Sequence, residues 1–142
     1  MEVLVFSAIL SMFFVAAVSV VSYMIRISKV SEHKIIATRY AQELFAWLDS
    51  DRDIDWNSFS NHSDPPTTYC INTSTLEDTP GFWNTGACSY GLDSFYKRSV
   101  KLTAVKTSGF ISEVIVNIKV EWREAGKVYN VPIDSTFTVW EQ

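Results

Sequence analysis

Residues 1–25 read MEVLVFSAILSMFFVAAVSVVSYMI, and this stretch decides the fold of the chain. Between Val3 and Ile25 it has no charge, no glycine and no proline, and its polar groups are four serines and one tyrosine hydroxyl. A helix needs about 20 apolar residues to cross a bilayer. The stretch therefore predicts a helix that lies in lipid, or in a core made by many copies of itself.

Glu2 is the one charged side chain in this stretch. A carboxylate in hydrocarbon is costly unless it has a partner or lies at the interface. One interpretation is an interfacial acid that the positive end of the helix dipole stabilises. The other is a carboxylate that pairs with a cation from another chain. Arg26 and Lys29 follow the span while no base precedes it, so the positive-inside rule alone would leave the rest of the chain in the cytoplasm. Because the rest of the chain looks exported, we expect a basic leader ahead of Met1 that is removed.

Residues 26–50 predict an amphipathic continuation of the same helix. They contain good helix formers and neither glycine nor proline. Apolar residues recur at spacings of four and three, which places them on one face and indicates packing in a core: Ala37, Ala41, Leu44 and Leu48. The polar face carries Lys29, Glu32, Lys34, Arg39 and Glu43.

Residues 95–142 change to a period of two, which is typical of strands. Turns are expected at Ser108–Gly109 and at Glu124–Lys127, Pro132 favours an edge position, and Thr136–Trp140 reads as a last strand. The sequence predicts an α+β fold, in which the C-terminal half of the long helix covers a three- or four-stranded antiparallel sheet. The apolar face of the clearest strand consists of Val114, Val116, Ile118, Val120 and Trp122.

Residues 51–94 are rich in turn formers, including Thr79–Gly81, and we expect a loop-rich region there. Its two cysteines, Cys70 and Cys88, would form a disulfide in an exported domain. The alternative is a pair of free thiols in a cytosolic domain. Asn61 and Asn72 each match the N-glycosylation pattern, a motif that also arises by chance.

The acids between Asp49 and Asp55 invite a calcium interpretation, but an EF-hand requires glycine and glutamate where this chain has Ile54 and Ser60. A different kind of calcium site and a solvated helix end both stay open. The chain has no phosphate-binding glycine loop, HExxH motif or nucleophile elbow, so we predict neither an enzyme nor a cofactor. The net charge of −4 argues against a general nucleic-acid binder.

The segment from Met1 to Leu10 resembles the start of the type IV pilins and type II secretion pseudopilins. The match places Glu2 on the family's N-terminal glutamate, and the last strands, with their glycine turn, loosely resemble the sheet of minor pilins. The family has three further residues ahead of the position of Met1, and many members close a cysteine loop at the C-terminus, which residues 1–142 do not contain. The family also often breaks its helix with a proline or glycine, where this sequence reads Val18-Ser19-Val20-Val21. An unbroken helix is therefore expected.

The resemblance implies a structural subunit of a helical homopolymer, with helices inside and heads outside. It also implies that Glu2 pairs with the N-terminal amine of a neighbouring copy and sets axial register. Further partners would be the inner membrane before assembly, the pilus assembly machinery and a prepilin peptidase. The precursor would be membrane-anchored and the product an extracellular filament, with roles such as adhesion or twitching motility. The residues expected to pack in the helical core are Val3, Phe6, Leu10, Phe13, Phe14, Ala17 and Val21.

Two other functions are compatible with the sequence. One is a low-copy pseudopilin of a secretion or DNA-uptake machine. The other is a permanently anchored extracellular binding domain that never polymerises, which explains the anchor and the head but not Glu2.

Overall fold

The computed structural model describes residues 2–77 and 82–139. Met1, the expected turn at Thr79–Gly81 and the predicted strand end at Trp140 lie outside these residues. The chain divides into two compact units, Met1–His33 and Lys34–Gln142. Each unit is described by itself below.

A single α-helix, α1, extends from Glu2 to Ile54 without a break. The first unit consists of its N-terminal part, which is one unbroken helix, as predicted from the absence of glycine and proline. The C-terminal part belongs to the second unit. It ends at Ile54, beyond the predicted end of the helix at Ser50.

The second unit is an α+β fold, as predicted. After α1 come a short helix and four strands: α2 (Trp56–Asn61), β1 (Thr67–Cys70), β2 (Tyr96–Thr107), β3 (Phe110–Glu124) and β4 (Lys127–Thr138). The strands form one antiparallel sheet in the order β1-β2-β3-β4.

Both predicted hairpin turns are present. Ser108 and Gly109 join β2 to β3, and Ala125 and Gly126 join β3 to β4, all four with positive φ. Two central residues with positive φ produce a turn whose twist matches that of the flanking strands. The turns therefore hold the long strands β2, β3 and β4 in a continuous meander.

The core lies between α1 and one face of the sheet, where the predicted pattern is confirmed. Ala37, Ala41, Leu44 and Leu48 are fully buried. Phe137 of β4 packs against the rings of Phe45 and Phe59. On the sheet side, every apolar residue predicted for β3 is buried: Val114, Val116, Ile118, Val120 and Trp122.

Two elements fall in the region expected to be loop-rich. Asp55 caps α2 by accepting hydrogen bonds from the amides of Asn57 and Ser58. β1 pairs with the edge of β2. The last strand is also longer than expected, since it begins at Lys127 and not at Thr136. It can contain Pro132 because β4 is an edge strand, which needs no amide donor on its open side.

Candidate assembly interface

The N-terminal part of α1 exposes an apolar surface that the single chain leaves uncovered. The exposed fraction is 79% for Val3, 67% for Phe6 and 67% for Phe13. Large apolar surfaces of this kind usually mark sites that contact lipid or protein. The residues predicted to pack in a helical core are all exposed: Val3, Phe6, Leu10, Phe13, Phe14, Ala17 and Val21.

These residues lie on one side of the helix, because spacings of three and four place side chains above one another. Glu2 is at the start of this side and lines a shallow recess with Val5, Phe6 and Ile9. Within residues 2–77 and 82–139, no cation forms an ion pair with Glu2. The arrangement is a carboxylate beside an apolar recess, able to accept a positively charged group from outside the chain.

The four serines of the span use their hydroxyl groups within the helix. The Ser19 hydroxyl donates to the carbonyl of Val15, and that of Ser22 donates to Val18, at 2.8 and 2.9 Å. Ser7 and Ser11 likewise donate to carbonyls one turn earlier. These donors need no partner outside the helix, so the span is compatible with an apolar environment.

The predicted disulfide is present in the second unit. Cys70, at the end of β1, is bonded to Cys88, 18 residues later, with the sulfurs 2.09 Å apart. Asn72 supports the same region, since its amide nitrogen donates to the Ser89 carbonyl at 2.6 Å and its oxygen accepts from the amide of Arg98 at 2.8 Å. One of the two possible glycosylation sites thus has a structural use that the sequence motif did not indicate.

The other possible glycosylation site has an exposed Asn61. The hydroxyl residue of its motif, Ser63, is fully buried and donates to the Ser60 carbonyl at 2.6 Å. Glycosylation at either position stays a prediction.

Arg98 is a buried cation that sequence reasoning missed. Its guanidinium donates to the carbonyls of Ile71, Tyr40 and Thr73, at 2.9, 3.1 and 2.7 Å. Burial lowers its pKa, partly offset by the charge of Glu43. The signal was available, because extending the alternation of Val100 and Leu102 back along β2 places residue 98 on the core face.

The outer face of the sheet holds a group of charged side chains on β2 and β3. Glu121 forms ion pairs with both Lys97 and Lys119. Desolvation raises its pKa, but hydrogen bonds and charges from the two lysines outweigh this effect and leave the pKa below its usual value. Arg123 lies 4.9 Å from the Tyr90 ring centre and donates from Nε to the Tyr90 hydroxyl at 3.1 Å.

The acids that prompted a calcium hypothesis have other contacts. Asp49 and Asp53 form ion pairs with Arg52, and Asp55 caps α2. Across the described part of the chain, no group of three or more metal-ligating side chains has the arrangement of a metal site.

No protein-family model matches the chain, and comparisons with curated proteins and with solved structures gave no match. Among the residues described, α1 is the one helix long and apolar enough to cross a membrane.

Proposed function

We propose that this chain is a structural subunit of a type IV pilus-like surface filament and polymerises through its N-terminal helix. The observation that supports this most is the span from Val3 to Ile25, uncharged and exposed along its whole length, with the carboxylate of Glu2 at its start. The resemblance of its first ten residues to pilins supports the same proposal.

The proposed assembly exchanges one apolar environment for another. The subunit waits in the inner membrane, with the span among lipid chains. The assembly machinery then extracts it, and the span packs against the same spans of its neighbours. Because contact with lipid and contact with other helices both keep apolar surface from water, the two states are close in hydrophobic free energy. Close packing of side chains such as Phe6 and Phe13 then favours the filament.

Glu2 provides specificity in this scheme. A prepilin peptidase releases an N-terminal amine, and Glu2 of one subunit pairs with the amine of the next. The pair neutralises both charges in an apolar core. A buried charge without its partner costs several kcal/mol, so only the register that joins the two is favourable. The absence of an intramolecular ion pair to Glu2 among the described residues is consistent with a partner from another chain.

The second candidate is a permanently anchored extracellular domain, which the same apolar helix favours. In that case, Glu2 lies at the membrane interface and forms no pair. A low-copy pseudopilin is the third candidate, and it differs from a major subunit in abundance in sheared surface material.

The test is replacement of Glu2. Glu2→Ala should lower the yield of sheared surface filaments roughly tenfold or more, because the neighbouring amine loses its buried partner. The thermal unfolding of the second unit should not change. The matched control is Glu32→Ala, which removes an exposed carboxylate of the same helix, paired with Lys29 at the surface.

Mass spectrometry of the sheared material identifies the N-terminal peptide in the same experiment. A processed, N-methylated N-terminus supports the filament. A normal filament yield from Glu2→Ala contradicts the pairing role. If the unaltered chain stays in the membrane fraction and no filament is sheared, the anchored domain is the better assignment.

A further inference from the structure

The second unit has two ends that can be located from its packing. At one end, Tyr40 of α1 contacts Tyr96, which contacts Trp122. At the other end, Arg52 lies over Phe137, 4.9 Å from the ring centre. We refer to these as the Trp122 end and the Phe137 end.

The two ends are well separated along the sheet. Phe137 pairs with Val114 and Tyr96 pairs with Trp122. The stretch of β3 from Val114 to Trp122 corresponds to about 27 Å at the usual rise per residue of a strand. Charges at the two ends are therefore farther apart than the Debye length at physiological salt, about 8 Å.

The Trp122 end is basic. Lys97 and Lys119 share one carboxylate, Glu121. The acids of this end are Glu121, Glu124, Asp93 and Glu43, whose charge acts on the buried Arg98. The bases are more numerous: Lys97, Arg98, Lys119, Arg123, Lys127 and Arg39, which pairs with Glu43.

Arg123 is an exposed cation of this end that contacts Tyr90. Its Cζ lies near the Tyr90 ring and its Nε donates to the Tyr90 hydroxyl. No hydrogen bond from its two terminal nitrogens is found among the described residues, which leaves a planar fork of the kind that binds carboxylates. Because the side chain is already held, binding a carboxylate costs less conformational entropy.

The Phe137 end is acidic. Arg52 pairs with Asp49 and Asp53, and Lys106 pairs with Asp64. In the described part of this end, these are the arginine and the lysine, and both form ion pairs within the unit. The acids outnumber them: Asp49, Asp51, Asp53, Asp55, Asp64 and Glu113.

From this polarity we infer that the Trp122 end of one copy docks on the acidic Phe137 end of the next copy, with Arg123 at the centre of the contact. This inference rests on the proposed function and adds a second interface to it. A contact between two different surfaces of the same chain is heterologous, and repetition of such a contact generates an open helical filament. The net charge of −4 makes copies repel one another unless opposite charges face each other. The opposite ends supply that complementarity and set the direction in which subunits add.

The test reverses charge at each end in the full-length chain. Arg123→Glu and, separately, Asp53→Arg should each lower the yield of sheared filaments roughly tenfold, since each change replaces an attraction by a repulsion. The double variant Arg123→Glu/Asp53→Arg restores opposite charges across the contact and should recover most of the yield. The control is Lys101→Glu, the same charge change in the middle of the outer face, at a lysine for which the described residues provide no ion pair.

Thermal unfolding of each detergent-purified variant checks the fold, and Asp53→Arg carries the test if Arg123→Glu does not fold. Wild-type yield from both single variants, or a double variant worse than either, overturns the docking while leaving the filament and Glu2 intact. If the unaltered chain makes no filament, the proposed function fails and the docking fails with it.

Discussion

At the scale of single residues, Arg98 joins three segments that are distant in sequence. Its guanidinium reaches α1 through Tyr40, and it reaches the segment after β1 through Ile71 and Thr73. All three acceptors are carbonyls, and no carboxylate forms an ion pair with Arg98 among the described residues. The buried charge is therefore stabilised by three carbonyl dipoles in direct contact, with a further contribution from the charge of Glu43.

Arg98→Met should destabilise the second unit by roughly 3–5 kcal/mol, because buried carbonyls lose their donor. Urea unfolding of the full chain in detergent measures the difference. Lys101→Met is the matched control, because it removes a cation from the solvated face of the same strand and should change stability by less than about 0.5 kcal/mol. Equal stability of the two variants would show that the Arg98 hydrogen bonds contribute little.

The same residue shows where sequence reasoning failed. Ala37 and Leu44 were placed in the core correctly, because apolar residues at helical spacing have few alternatives. Arg98 was missed because a charged residue is expected to be solvated. The alternation along β2 did place residue 98 on the core face, but the three carbonyls that stabilise the buried charge belong to other segments, and no local pattern predicts those contacts.

At the scale of elements, the long segments were predictable and the short ones were not. β3 alternates over its whole length, and α1 has no breaker, so local pattern and tertiary structure agree. β1 has four residues and exists because it pairs with the edge of β2. α2 is a short helix that begins at the Asp55 cap and inserts Phe59 beside Phe137. Both depend on contacts that only the assembled sheet supplies.

The disulfide acts on the segment between β1 and β2. Cys70→Ser/Cys88→Ser should lower the free energy of unfolding by roughly 3 kcal/mol, because the unfolded chain regains the freedom of the closed loop. Chemical unfolding under oxidising conditions measures it. The wild-type protein in reductant is the control and should match the double variant. An unchanged midpoint in both would mean that the bond does not stabilise this fold.

At the scale of the whole molecule, most of the exposed large apolar residues belong to the first 27 positions. The core of the second unit is complete without them, since its apolar face is covered by the later part of α1. The apolar surface that lipid or other copies must cover is therefore confined to the N-terminal part of α1, and residues 1–25 were enough to predict it. The charge difference between the two ends of the second unit could not be predicted, because the charges of each end are scattered in sequence and are brought together by the fold.

Removing detergent from the purified full chain should give elongated oligomers and leave almost no monomer, because the apolar span must be covered. Light scattering and negative-stain microscopy distinguish elongated particles from amorphous ones. Restoring detergent provides the control and should return the monomer. A stable monomer in plain buffer would show that the span finds its cover within its own chain.

The four serine hydroxyls between Val3 and Ile25 have a mechanical consequence. Each donates to the helix that carries it, so the outside of the span offers no hydrogen bond that resists sliding along its length. In a bundle of such spans, Glu2 would be the one charged group that distinguishes one longitudinal position from another. A filament built this way would yield under tension by slippage between subunits, and it would regain its length once each carboxylate found its amine again.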